Sequence, residues 1–233
     1  MRRILRAACA AMALAHAVPA LAQQVPELTG FWELRDDSKE AIEPDLTPTA
    51  AERWKKLLAL RLSITEHGNP FPKDWPHCSN RGNLGGMGDS APMAIVQSPR
   101  EIAIFFETNA APRHIYMDGR DWPDPKTLEA STAGYSIGRW EGDTLVVESR
   151  GFHATRGQPA PGGYTFKTRT TERWKLIDGG QKLQLRWTFE EPAVYVKPYT
   201  FTWTYYRAPK DTYGSELLCD ASDPAQSKTV EPK

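Results

Sequence analysis

The second half of the chain alternates. Leu183, Leu185, Trp187 and Phe189 take every second position, with Gln184, Arg186 and Thr188 between them. Tyr199, Phe201, Trp203 and Tyr205 repeat the pattern against Thr200, Thr202 and Thr204. A strict period of two marks strands with one buried face and one wet face. Many such strands in succession have to curl into a barrel or pair into a sandwich, because an open sheet leaves unpaired edges. The patterning predicts an all-β fold, an antiparallel β-barrel of about eight or nine strands.

The rest of the chain fits around that sheet. Thr29 to Leu34 reads as a first strand. Thr47-Pro48 starts a single N-terminal α-helix over about 48–63, with Thr47 as N-cap and Pro48 in the first turn. Trp54, Leu57, Leu58 and Leu62 fall at helical spacing and predict one packed face. Residues 67–90 are rich in Gly, Pro, Asn and Asp and read as a long loop, with Gly85-Gly86-Met87-Gly88 as its flexible part. Strands follow over Ala94–Val96, Ile102–Phe106, Arg113–Met117, Tyr135–Trp140, Thr144–Ser149 and Phe166–Ile177. The main sheet thus spans about 93–207, in mainly meander order, with a tail over 208–233.

Composition narrows the setting. Arg2, Arg3 and Arg6 precede an Ala/Leu/Met-rich stretch, and Ala20-Leu21-Ala22 offers a small-x-small cleavage site. Residues 1–22 therefore read as a signal peptide, and 23–233 as one exported domain, periplasmic or secreted. Without the three arginines, 26 basic residues face 29 acidic ones, so the mature protein carries about −3. No basic stripe points to nucleic acid, and no later stretch has the apolar length of a transmembrane segment. Cys78 and Cys219 are the cysteines left after cleavage, and in an oxidising compartment they predict a disulfide closing about 140 residues.

Gly30-Phe31-Trp32 in the first strand resembles the Gly-x-Trp start of lipocalin-type barrels, where the Trp packs across one barrel end. The resemblance implies a lipocalin-like barrel. Three further blocks resemble a group of exported bacterial proteins that have no assigned activity. They are the residues from Arg113 to Arg120, those from Ser136 to Val147, and Glu172-Arg173-Trp174. That likeness brings no catalytic residues with it.

Candidate chemistry sits at few places. Gly134-Tyr135-Ser136-Ile137-Gly138 has the Gly-x-Ser-x-Gly spacing of a nucleophile elbow, but a hairpin follows where the elbow needs a helix, so a glycine-containing strand is expected. In the strand from Phe166 to Ile177, counting by two from Trp174 and Leu176 turns Glu172, Thr170 and Thr168 inward. A buried carboxylate has to be paired, hydrogen-bonded or protonated. Glu172 is thus a catalytic acid or base, a ligand anchor, a structural partner of an arginine, or a residue wetted at a barrel end. His114 and Tyr116 share one face of their strand, opposite Arg113, Ile115 and Met117, while Asp118 and Arg120 fall at the rim. His67, His77, His114 and His153 show no ligand spacing, so no metal is expected. No glycine-rich phosphate loop opens a helix, and no cofactor is expected.

These observations support a barrel pocket for a small apolar or aromatic molecule, lined by Trp174, Trp187, Phe189, Phe201, Trp203 and Tyr205, with Asp118 and Arg120 at its edge. Two alternatives stay open. One is a cofactor-independent hydratase, isomerase or lyase using Glu172, His114 and Tyr116. The other is an envelope or interaction protein with a filled barrel.

Overall fold

In a computed structural model, which describes residues 25–40, 42–65, 82–88, 91–107, 112–153, 161 and 163–214, nine strands close into one barrel. They are β1 (Gly30–Lys39), β2 (Met93–Gln97), β3 (Glu101–Phe106), β4 (Arg113–Tyr116), β5 (Tyr135–Glu141), β6 (Thr144–Arg150), β7 (Arg169–Ile177), β8 (Lys182–Glu190) and β9 (Tyr199–Arg207). Each strand pairs with the next, and β9 returns to β1. The signal-peptide segment, Cys78 and Cys219 lie outside the described residues. Among the described residues, no helix is long and apolar enough to cross a membrane.

The barrel is mixed rather than wholly antiparallel. Eight neighbouring pairs are antiparallel, and β4 runs parallel to β5 with Ile115 opposite Ser136 and Tyr116 opposite Ile137. Parity requires this. Nine strands that reversed at every step would leave β1 and β9 pointing the same way, so an antiparallel closure needs a parallel pair elsewhere. Parallel neighbours in turn need a crossover, and residues 117–134 supply it.

The β2–β3, β5–β6 and β7–β8 hairpins are tight. Glu141 pairs with Thr144, leaving a two-residue turn in which Gly142 has φ 63°, a conformation that glycine adopts without strain. Two glycines of the Gly-x-Ser-x-Gly stretch also have structural causes. Gly134 has φ +69°, and an added Cβ would lie 2.7 Å from the Phe152 ring. At Gly138 the Cβ would lie 2.5 Å from Met117 Sδ and 2.8 Å from Ile115 Cγ2. Gly138→Val is therefore expected to overpack the β4–β5 wall and to lower stability by about 1–3 kcal/mol, as read by denaturant unfolding.

Alternation places the core inside the barrel. Leu183, Leu185, Trp187 and Phe189 of β8 are buried, as are Thr170, Glu172 and Trp174 of β7, while Arg169, Arg173 and Lys175 are exposed. Trp32 is fully buried; its Nε1 donates to the Leu28 carbonyl at 2.9 Å and its ring carries the Arg207 guanidinium at 4.2 Å.

Three expectations are revised. The strand expected from Phe166 begins at Arg169, and Phe166 is exposed in a turn. There Thr168 Oγ1 accepts from the Thr165 N–H and the Thr168 N–H donates to the Thr165 carbonyl, local bonds that compete with the ladder. The helix at Pro48–Thr65 (α1) keeps its cap, with Thr47 Oγ1 accepting from the Ala50 N–H. Its expected packed face is only partly used, since Leu58 and Leu62 are exposed and burial concentrates at Ala50, next to the Thr47 N–H bond to the Val194 carbonyl. Within the expected loop 67–90, Gly82–Met87 forms a short helix (α2), with Gly85, Gly86 and Met87 buried.

Candidate functional site

The β5, β6 and β7 registers align three small hydroxyl residues across the inner wall. Ser136 pairs with Ser149, and Ser149 pairs with Thr170. Glu172 follows two residues along β7, on the same face, opposite Trp187 of β8. From β4, Arg113 shares its inward face with Ile115 and closes onto this belt.

Arg113 and Glu172 form a two-pronged pair. Nη1 donates to Glu172 Oε2 at 2.8 Å, and Nη2 donates to Oε1 at 2.6 Å. Their side chains are 1% and 0% exposed, so the two charges depend on one another and on their hydrogen bonds. Nη2 also reaches Ser136 Oγ at 3.3 Å and Ser149 Oγ at 3.2 Å, and the two serine hydroxyls lie 2.7 Å apart. Trp174 Nε1 donates to Glu172 Oε2 at 3.0 Å. Among the described residues, Arg113 Nε, Thr170 Oγ1 and Trp187 Nε1 are buried with no hydrogen-bond partner.

Helix α2 enters this interior. Arg113 Nη1 lies 3.4 Å from Met87 Sδ, and Tyr205 donates its hydroxyl to the Met87 carbonyl at 2.9 Å. The Tyr205 ring stacks on Trp174. Burial, with a further push from the Glu172 charge, raises the Tyr205 phenol well above its ordinary value. Burial also raises Tyr164 and Tyr195. A group whose native pKa is raised stabilises the fold below its unfolded pKa and loses that contribution as pH rises. Stability is therefore expected to fall above about pH 10, where the unfolded chain's tyrosines ionise and these three stay protonated. Ultraviolet phenolate titration should show them ionising only as the barrel unfolds.

The aromatic wall continues beside the belt. Trp187, Phe189, Phe201 and Trp203 pack with ring centroids 4.8–6.2 Å apart where they touch. Trp187, Phe189 and Phe201 are buried, whereas Trp203 is only partly so. Trp203 sits where β1 breaks register: Leu34 pairs with Tyr205, but Lys39 pairs with Trp203, so β1 advances five residues while β9 advances two. The extra β1 residues bulge, with Ser38 Oγ bonding both the Arg35 N–H and the Arg35 carbonyl.

His114 and Tyr116 do not join Glu172. They lie on the outer face of β4, where His114 bonds Glu101 at an exposed position. Tyr116 stands under the Arg120 guanidinium at 3.7 Å and 5.0 Å from the Tyr135 ring. Arg120 makes a two-pronged bond to Asp118, which Arg100 also approaches at 3.6 Å. The Arg120 guanidinium holds the Asp118 carboxyl well below the usual carboxylate range. Asp118 and Arg120 thus brace the crossover outside the barrel wall. Arg113 was the less conspicuous charge in its own segment, yet its signal is plain: it shares alternation with Ile115 and Met117. Ser149 shares alternation with Leu145 and Val147 in the same way, and Ser136 is marked only by its Gly-x-Ser-x-Gly spacing. Among the described residues, no three His, Cys, Asp or Glu side chains are grouped to hold a metal ion.

In comparisons with protein-family models and with curated proteins, no family model and no curated protein matches the chain.

Proposed function

We propose that this is an exported protein that binds a small apolar or aromatic molecule inside its barrel. The observation that carries the reading is the partly exposed Trp203, an inward ring continuous with the buried aromatics Trp187 and Phe201, beside a break in the β1–β9 register. Trp203 packs against the buried core yet keeps part of its ring accessible beside that break. Such a ring suits a ligand path, because flat aromatic surface binds apolar molecules with little loss of side-chain freedom. Export follows from the leader-like first 22 residues. With Glu172 held by Arg113 inside and His114 outside, binding is favoured over proton-transfer chemistry.

Native mass spectrometry of the protein purified gently from its host's envelope tests this. The expected result is an added small-molecule mass, lost on denaturation and reduced in Trp203→Ala. An apo mass that stays unchanged after incubation with an organic extract of that envelope would overturn it.

A further inference from the structure

We infer that Met87 occupies the ligand's seat, and that the ligand displacing it is an uncharged, largely apolar molecule carrying a carbonyl oxygen. This rests on the small-molecule-binding reading above. Met87 is 1% exposed and presents two acceptors to the interior: its carbonyl, taken by Tyr205, and its thioether, approached by Arg113. An apolar chain with a carbonyl oxygen already sits there. The match is imperfect, since a thioether is a weak acceptor for a guanidinium N–H.

The groups left over define what would fit better. Arg113 Nε and Trp187 Nε1 can only donate, and both are buried unpartnered beside the Glu172 position, together with the Thr170 hydroxyl. Unpartnered buried donors favour an acceptor oxygen. Charge is disfavoured at both signs. Arg113 and Glu172 neutralise each other with both carboxylate oxygens engaged, so a second buried ion would have no counter-charge.

The occupant is also easy to dislodge. Helix α2 has six residues, three of them glycine, and Gly88 follows. Glycine is a poor helix former, and so short a helix has little stability of its own. Met87 contacts to Arg113 and Tyr205 dock it in the barrel, and a ligand competes for that docking directly. The Gly-rich stretch is thus an internal plug whose exit opens the seat.

Calorimetric titration of the full-length mature protein with three probes tests the assignment: 2-acetylnaphthalene, 2-ethylnaphthalene and 2-naphthoate. The ketone is expected to bind on the order of ten-fold more tightly than the hydrocarbon, the worth of one net hydrogen bond. Naphthoate should bind most weakly. Met87→Ala, which empties the seat, should tighten ketone binding by a similar factor. Trp187→Phe removes an N–H that has no hydrogen-bond partner among the described residues, so it should still fold, with some stability lost to the smaller ring, and erase much of the preference for the ketone. Equal binding of ketone and hydrocarbon in all three proteins would overturn the carbonyl assignment, and no effect of Met87→Ala would overturn the seat. Either leaves the binding reading intact. Tighter binding of naphthoate would overturn the uncharged class. Failure of every probe to bind any variant would overturn this inference, while the envelope-extract mass measurement decides the binding reading separately.

Discussion

Arg113→Met is expected to lower the stability of the barrel by about 3–5 kcal/mol, because it leaves the Glu172 carboxylate buried without its counter-charge. Glu172 is 0% exposed and would retain only the Trp174 N–H among its present bonds. For a protein of this size the melting temperature should fall by about 10 °C. Arg113→Met combined with Glu172→Leu removes both charges together and should recover most of the loss. Denaturant unfolding of the two single variants and the double variant checks the coupling. If the double variant lost the sum of the single losses, the pair would not be interacting. Ser136 and Ser149 would then bond each other in the repacked interior, as they already do.

Trp32→Ala should cost a comparable amount, about 3–5 kcal/mol, by leaving a cavity where the buried indole packs. The indole is fully buried, its N–H satisfies the Leu28 carbonyl, and Arg207 lies across its face. Arg207 also bonds the Gly180 and Thr29 carbonyls, so one residue ties the β7–β8 turn, the chain before β1 and the end of β9 to the same ring. Trp32→Phe keeps an aromatic face and loses the N–H, and about 1–3 kcal/mol is expected for the unsatisfied carbonyl and the smaller ring. Thermal unfolding that ranked Phe with Ala would place the weight on the hydrogen bond. A Phe variant close to the parent would place it on packing.

Much of the wall was legible because alternation is a local property. Thr170, Glu172 and Trp174 face inward as counting by two predicts, and so do the four apolar residues of β8. The same count placed Arg113 with Ile115, away from His114 and Tyr116, so the separation of Glu172 from His114 was implicit in the pattern. Local hydrogen bonding set the first limit. Threonines 165 and 168 turned the expected start of β7 into a turn, because a side-chain hydroxyl can satisfy the backbone as well as a neighbouring strand can. The glycine-rich loop hid α2 for a related reason, since its helix rests on the docking of Met87 rather than on its own propensity.

By itself, then, the order of the residues determined which faces turn inward, where the chain turns, and that a carboxylate enters the interior needing a partner. Only the tertiary structure decided which partner it has. That choice depends on strand neighbours, and the crossover over 117–134 set β4 parallel beside β5 in the closed ring, with Arg113 reaching Glu172 three strands away. Periodicity is carried by adjacent residues and can be read along the chain. Closure is a property of the whole ring, so the pairs it creates exist only once the ring is complete.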